Sequence, residues 1–268
     1  MHASNRSSGP DECVRDWVIV PTADGSHTLV SADGQLTFHS RHGAITESRH
    51  VFIQTGLEFW LAMEQNCSKP LRVLEIGLGT GLNASLVLET WRDRLLALRE
   101  EGDAVRGTGS WEWSYTAMEI NPLDPILLGE LNYGTHIIHG AWEEWLAGYR
   151  AVYGSLGVEG HGMDEGNLIR FESSSSHIVM KILPQEWMQA VEGSYEVIFY
   201  DAFGPSVQPE LWGEQAVALL AERLAKGGVV VTYGAQGAFR RHLLHAGLLV
   251  ERLPGPPGKR EMLRALKG

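Results

Sequence analysis

Three carboxylates and a run of glycines are the residues of this sequence best placed to do chemistry. Glu75, Glu119 and Asp201 each stand at the end of a short apolar run: LRVLEI, WSYTAMEI and YEVIFYD. Gly77, Gly79 and Gly81 follow Glu75 directly, and a helical spacing of Leu82, Leu86 and Val87 follows them. A buried strand, a glycine turn and a helix N-terminus make the ligand crevice of doubly wound α/β sheets. A carboxylate at such a place can hold a cation, accept hydrogen bonds from hydroxyls, or take a proton from an amine. Each has a plainer reading. The glycines can be a connection without a ligand, Glu119 a solvated strand-end acid, and Asp201 a cap for the turn after it.

The spacing of the glycines narrows the ligand. G-x-G-x-G differs from the dinucleotide fingerprint G-x-G-x-x-G, and the absence of Lys-Ser/Thr after it excludes a Walker A loop. Glu75 would repel a pyrophosphate. It suits a cationic ligand such as S-adenosylmethionine, which carries an ammonium and a sulfonium. Glu119 occupies the place of the acid that receives ribose hydroxyls after the second strand of such sheets, although it lies farther from the glycines than the ~20 residues usual there. Asp201 precedes Ala202-Phe203-Gly204-Pro205, which turns the chain toward the crevice, where the carboxylate could bind a substrate amine or take its proton.

The elements that must position these groups are legible from periodicity. Asp16 to Leu36 predicts a small β-hairpin or meander around two Asp-Gly turns, and Glu47 to Leu61 a helix. From Leu71 strands and helices alternate. Strands are expected over Leu71–Ile76, Trp113–Ile120, Ile178–Leu183, Tyr195–Tyr200 and Val229–Tyr233, with 135–139 either a short strand or a turn. Helices are expected over 83–101, 123–131, 141–153, 187–191, 209–225 and 238–246. A terminal hairpin is expected from 248–253 and 262–265. In the helix from Ala141, Trp142, Trp145 and Tyr149 share one face, which core packing explains better than a base-stacking platform. The expected organisation is a disordered start at 1–15, an N-terminal hairpin-and-helix extension at 16–66, and a main α/β domain at 67–268 with a mostly parallel sheet. An irregular, Gly- and Ser-rich insertion at 150–177 interrupts that domain, as an exposed loop around a short hairpin.

Composition sets outer bounds. The 268 residues are 44% hydrophobic and 21% charged, the balance of a globular chain with a sizeable core. Two cysteines without a CxxC pair argue against a disulfide framework or a cysteine-built zinc site, and the eleven histidines show no ligand spacing, so no metal is expected. No apolar run is long enough for a membrane span and no signal core opens the chain, so the cytoplasm is the expected location. A formal net charge of −11 argues against broad nucleic-acid binding while leaving room for a local basic patch.

Longer stretches carry a resemblance. DGSHTL from Asp24, FHSRHGAITESRHVFI from Phe38, LEIGLGTGLN from Leu74, YDAFGPSVQPELW from Tyr200, TYGAQGAFRR from Thr232 and GPPGKREMLRA from Gly255 are together similar to the bacterial methyltransferases acting on wobble 5-aminomethyl-2-thiouridine of tRNA. The likeness is to a stand-alone form without the FAD-dependent oxidase domain of the bifunctional enzyme. LEIGLGTGLN alone would indicate only a Rossmann-like class I S-adenosylmethionine-dependent methyltransferase; the Asp201 and Lys259 motifs are more specific.

The resemblance implies S-adenosylmethionine as cofactor, tRNA as substrate, and 5-methylaminomethyl-2-thiouridine as product, with a separate enzyme making the aminomethyl group. It implies that Glu75, Gly77, Gly79 and Asn83 hold the methionine end of the cofactor, with Gly81 in the same loop, that Glu119 holds the ribose, and that Asp201 faces the amine. The chain departs from the family pattern at Lys181-Ile182-Leu183-Pro184, where the family has an acid for the adenine amino group, at Gln236 in place of a Lys, and at Leu36 and Phe38 in place of a Glu and a Tyr. Arg240, Arg241, Lys259, Arg260 and Arg264 gather near the C-terminal end, as a patch for tRNA phosphates or as solvated surface charges. Phe203 and Trp212 are candidates to sandwich an extruded uracil, or core residues. A small-molecule amine methyltransferase and a non-catalytic binding protein on the same fold are the alternatives.

Overall fold

The computed structural model describes residues 17–63, 70–100, 113–153, 167–173, 176–183 and 191–268. Strands β1 (Trp17–Pro21) and β2 (His27–Ser31) pair antiparallel, Trp17 opposite Ser31. Helix α1 (Ala44–Ser48) continues through a π-helical stretch (Arg49–Glu58) into α2 (Phe59–Leu61). The rest is one eight-stranded sheet. In chain order its elements are β3 (Leu71–Ile76), α3 (Leu82–Glu100), β4 (Trp113–Met118), α4 (Pro125–Gly129), α5 (Ala141–Tyr153), β5 (Asn167–Ser173), β6 (Ser176–Leu183), β7 (Tyr195–Tyr200), α6 (Glu214–Arg223), β8 (Leu224–Thr232), α7 (Gly237–His245), β9 (Leu249–Pro254) and β10 (Glu261–Leu266). The strand order is β5-β6-β4-β3-β7-β8-β10-β9.

The five inner strands from β6 to β8 run parallel, and an antiparallel strand or pair closes each edge. The chain winds outward from β3 through β4 to β6, then returns to β7 on the other side of β3. That reversal makes the β3–β7 boundary the switch point of the sheet, where the loops part and leave a crevice.

The inner strands read as continuous apolar runs because both faces are covered. Val73, Val197, Phe199, Val229 and Val231 pack into the core shared with α3, α5 and the π-helical segment. Their neighbours Leu74, Ile198, Tyr200 and Val230 pack into a second core under α6 and α7. On α5, Trp142, Trp145 and Tyr149 stack in series, with ring centroids 5.3 and 5.1 Å apart, and all three are buried.

Two expected boundaries move for visible reasons. The helix expected over 209–225 is a 3-10 turn (Pro209–Trp212) followed by α6, which stops at Arg223, ahead of the Gly227-Gly228 pair. The Lys267 ammonium donates to the carbonyls of Ala221 and Leu224 at 2.7 and 2.8 Å and satisfies that helix end. The glycines instead lie inside β8. Between 123 and 131, helix α4 starts at Pro125, capped by Asp124, which accepts from the Ile126 N–H. Residues 135–139 form no strand. The strand expected at Ile178–Leu183 is β6, an inner strand beside β4, and within the insertion β5 pairs antiparallel with it, where a hairpin contained in the insertion was expected. The expected disordered start, all but the last residue of the helix expected over 187–191, and most of the insertion loop lie outside the described residues.

Candidate active site

Parallel pairing fixes which side chains can meet. Ile76 is opposite Met118 on β4 and Tyr200 on β7. The next residues of the three strands, Gly77, Glu119 and Asp201, therefore emerge side by side at one edge of the sheet. Tyr233 follows the end of β8 at that same edge.

Glu75 lies one residue inside this edge and has no exposure to solvent. Its Oε2 accepts from the Tyr115 hydroxyl at 2.7 Å and its Oε1 from Asn83 Nδ2 at 2.8 Å. The same Asn83 nitrogen donates to Asp201 Oδ2 at 2.8 Å. Burial lifts the Glu75 carboxyl up to about 8, against the pull of the Tyr115 and Asn83 hydrogen bonds. Burial likewise holds Asp201 well above the usual carboxylate range, and the charges of Glu75 and Glu47 add to the rise. Asn83 Oδ1 is buried and has no hydrogen-bond partner among the described residues.

Glu119 ties the glycine loop to β4. Its Oε2 accepts from the Gly79 N–H at 2.9 Å and its Oε1 from the Asn121 N–H at 2.9 Å. Its carboxyl is raised by burial, which those backbone donors oppose. Gly77 takes φ of 90°, and a Cβ there would stand 2.8 Å from the Asp201 carbonyl oxygen, so a side chain would force β3 and β7 apart at the site. The open face of Gly81 is filled by the buried Trp145 ring. The absence of a side chain at Gly81 thus lets α5 pack on the glycine loop.

The two aromatic candidates separate. Phe203 is half-buried and meets Phe38 edge-on, at 5.2 Å between ring centroids; Phe38 in turn meets Trp17 at 4.7 Å. Trp212 is a core residue, packed against Tyr200 and Phe239. Its Nε1 donates to the Phe203 carbonyl at 2.7 Å. It holds the Phe203 backbone in place from within the core, the alternative reading of its sequence position.

The basic residues near the C-terminal end are also divided. Arg240 and Arg241 lie on α7, the first half-buried and the second exposed. Arg260 is exposed on the β9–β10 turn. Arg264 lies over the Phe59 ring and is bonded to Glu251 at 2.7 Å. Lys259 turns inward to a buried partner, Glu47 of α1, at 2.7 Å.

Sequence reasoning did not find Tyr115, Glu47, Tyr233 or His39. The His39 Nε2 and Thr80 Oγ1 are 2.8 Å apart, and Tyr133 donates to the same Thr80 oxygen at 3.3 Å, so the N-terminal extension and the 3-10 turn at Asn132–Thr135 both brace the glycine loop. Burial holds His39 down to about 4, so it is neutral near pH 7. A hydroxyl in a strand otherwise buried, as at Tyr115, was the available signal for one of these.

The donor set fits a cation. The Asn83 amide donates to both Glu75 and Asp201, its oxygen is buried without a partner among the described residues, and burial raises both carboxyls, so a positive group would favour their ionisation. Among the described residues no group of three or more His, Cys, Asp or Glu side chains could hold a metal ion, and no helix is long and apolar enough to cross a membrane.

Comparison with known proteins shows what the chain as a whole is similar to. Residues 166–268 match a family described as S-adenosyl-L-methionine-dependent methyltransferase. The chain is 26% identical over 236 residues to the tRNA 5-methylaminomethyl-2-thiouridine biosynthesis bifunctional protein MnmC of a Caulobacter strain, covering 87% of this chain and 35% of that protein. It is 29% identical over 248 residues to the protein of the same name from Aromatoleum aromaticum, covering 91% of this chain and 34% of that one. The chain thus spans about a third of the length of the curated relatives it matches. The crystal structure of MNMC2 from Aquifex aeolicus superposes with a TM-score of 0.65 at 23% identity, over 96% of this chain and 72% of that one. The fold is that of the S-adenosylmethionine-dependent methyltransferases.

Proposed function

We propose that this protein methylates the primary amine of a 5-aminomethyl group on the wobble 2-thiouridine of tRNA, using S-adenosylmethionine. The observation that carries the reading is the pair Glu75 and Asp201 sharing the Asn83 amide beside the glycine loop. Two desolvated carboxylates are suited to two cationic partners, the cofactor and an alkylammonium substrate. The names of the relatives supply the substrate class.

When bound, the cofactor supplies a methyl group already activated on its sulfonium. The residues of the chain bind, orient and move a proton. Glu75 and Asn83 receive the amino-acid end of the cofactor. Glu119 receives the ribose hydroxyls from its place after β4. Phe203, held by the Trp212 bond, borders the nucleobase. Asp201 accepts the proton that the substrate ammonium must lose before nitrogen can attack. A carboxyl held above its ordinary range is a better match to an amine than a solvated one, because the proton transfer is less uphill. Arg240, Arg241 and Arg260 remain the candidates for phosphate contact, with base contacts making the selection. Another activity supplies the aminomethyl group. A cytoplasmic location accords with a tRNA substrate.

Incubation of the protein and cofactor with tRNA carrying 5-aminomethyl-2-thiouridine, followed by nucleoside mass spectrometry, tests the reading. A gain of one methyl on that nucleoside is expected. Methylation of free alkylamines with the tRNA untouched would transfer the activity to small molecules, and no transfer to either would remove it.

A further inference from the structure

We propose that Lys259 is a positioning residue for this reaction: its ammonium, seated on the Tyr233 ring and paired to Glu47, keeps the substrate amine neutral in an otherwise acidic pocket. The inference rests on the amine-methylation reading above.

The pocket has an internal conflict. Glu75, Asp201 and Glu47 would hold an alkylammonium well, and for that reason would hold it protonated. A protonated amine has no lone pair for attack. A cation in the same pocket restores the neutral form, the means by which other sites depress an amine.

Lys259 is delivered to that place by a braced turn. The Gly255 N–H donates to the Arg260 carbonyl at 3.1 Å and the Lys259 N–H to the Pro256 carbonyl at 2.9 Å. His50 Nε2 lies 2.8 Å from the Pro254 carbonyl oxygen and fastens the turn to the π-helical segment. The ammonium then lies 3.9 Å from the Tyr233 ring centroid and 2.7 Å from Glu47 Oε2. The Tyr233 hydroxyl donates to the carbonyl of Ala202, next to Asp201, at 2.7 Å. The charge of Lys259 acts on Asp201, opposing the effects of Glu75 and Glu47, and also on His39. His39, neutral and bonded to Thr80, adds no charge of its own. A lysine meant for phosphate has no need of an aromatic seat and a buried carboxylate partner.

The probe is an anticodon stem-loop carrying 5-([13C]aminomethyl)-2-thiouridine, bound with S-adenosylhomocysteine. Carbon NMR reads the amine titration directly, and single-turnover methylation with S-adenosylmethionine gives the rate profile. Lys259→Met is expected to raise the bound amine's midpoint and move the acid limb of the profile upward by about one pH unit, the effect of a unit charge several ångströms away at protein-like permittivity. Lys259→Arg should stay near wild type. Glu47→Gln combined with Lys259→Met, which removes both charges of the pair, should return the midpoint toward wild type. Circular dichroism verifies the fold of each variant. The salt dependence of RNA binding should be unchanged. A folded Lys259→Met protein with an unmoved midpoint and profile overturns the proposal. So does a salt slope reduced by about one counterion, which would make Lys259 a phosphate contact. Wild-type protein that fails to methylate the stem-loop removes the underlying reading, and this role with it.

Discussion

Glu75 and Asp201, on neighbouring parallel strands, are tied to one another through a single nitrogen, Asn83 Nδ2, 2.8 Å from each. The two N–H groups of that neutral amide can serve one carboxylate each, but they do not offset the mutual repulsion of a fully buried Glu75 and a half-buried Asp201. Without a cation the pair is relieved by retaining a proton; with one, both carboxylates can ionise. The site is thereby poised to exchange a proton for a positively charged ligand.

The first consequence is a stability slope. Glu75 is raised in the folded protein, so its contribution is fully present below the ordinary carboxyl range and is lost as pH rises through about 8. Thermal midpoints of the ligand-free protein should therefore fall between about pH 5 and pH 8. Glu75→Gln should flatten that fall while weakening cofactor binding tenfold or more, since the introduced amide is neutral at every pH. A wild-type midpoint indifferent to pH in this window would show the pair already ionised.

Cofactor binding should release protons. Calorimetry at pH 7 in two buffers of different ionisation enthalpy is expected to show release of up to about one proton per site, with Glu75→Gln abolishing most of it. Proton uptake would contradict the exchange.

Asp201→Asn keeps size and loses charge. Methyl transfer should drop by roughly 10²–10⁴, the range of a general acid–base contribution, and recover in part at high pH as solvent deprotonates the amine. A single-turnover rate close to wild type at neutral pH would remove the role. Loss without recovery would make Asp201 an orienting group.

Glu119→Ala should cost cofactor binding about 1.5–3 kcal/mol, the worth of hydrogen bonds to a charged group. The structure adds that Glu119 also holds the Gly79 N–H, so Glu119→Gln, which keeps an acceptor for that donor, should lose less. Equal dissociation constants for wild type and both variants would place the ribose elsewhere.

Arg241 is exposed on α7 and is the clearest remaining candidate for phosphate. Arg241→Ala should weaken tRNA binding and flatten its salt dependence by about one counterion, with cofactor affinity unchanged. An unaltered slope would return it to the solvated surface.

Much of this was legible in the sequence because it is local. The period of each inner strand, the glycines after Ile76 and the acids at strand ends lie within a few residues of one another. Parallel pairing then aligns Gly77, Glu119 and Asp201 without further information. What was illegible depends on register and docking. Tyr115 reaches Glu75 across 40 positions only because β4 pairs with β3 as it does. Lys259 and Trp212 have side chains as suited to RNA as to an interior, and the turns that carry them decide which. For Gly81 the neighbour that matters, Trp145, comes from a distant helix.

The Glu47–Lys259 pair joins positions 212 residues apart, and His50–Pro254 and Thr55–Arg264 span similar intervals. At ~5–20 residues per second of synthesis, roughly 10–40 s separate the emergence of the two partners. During that interval α1 and the π-helical segment lack the turn that braces them, and Glu47 lacks its countercharge. The glycine loop, β7 and Asp201 are all made before Lys259 is. The turn that carries Lys259 thus joins the sheet after every inner strand has been made, and a nascent chain cannot present the Glu47–Lys259 pair until the β9–β10 turn has emerged.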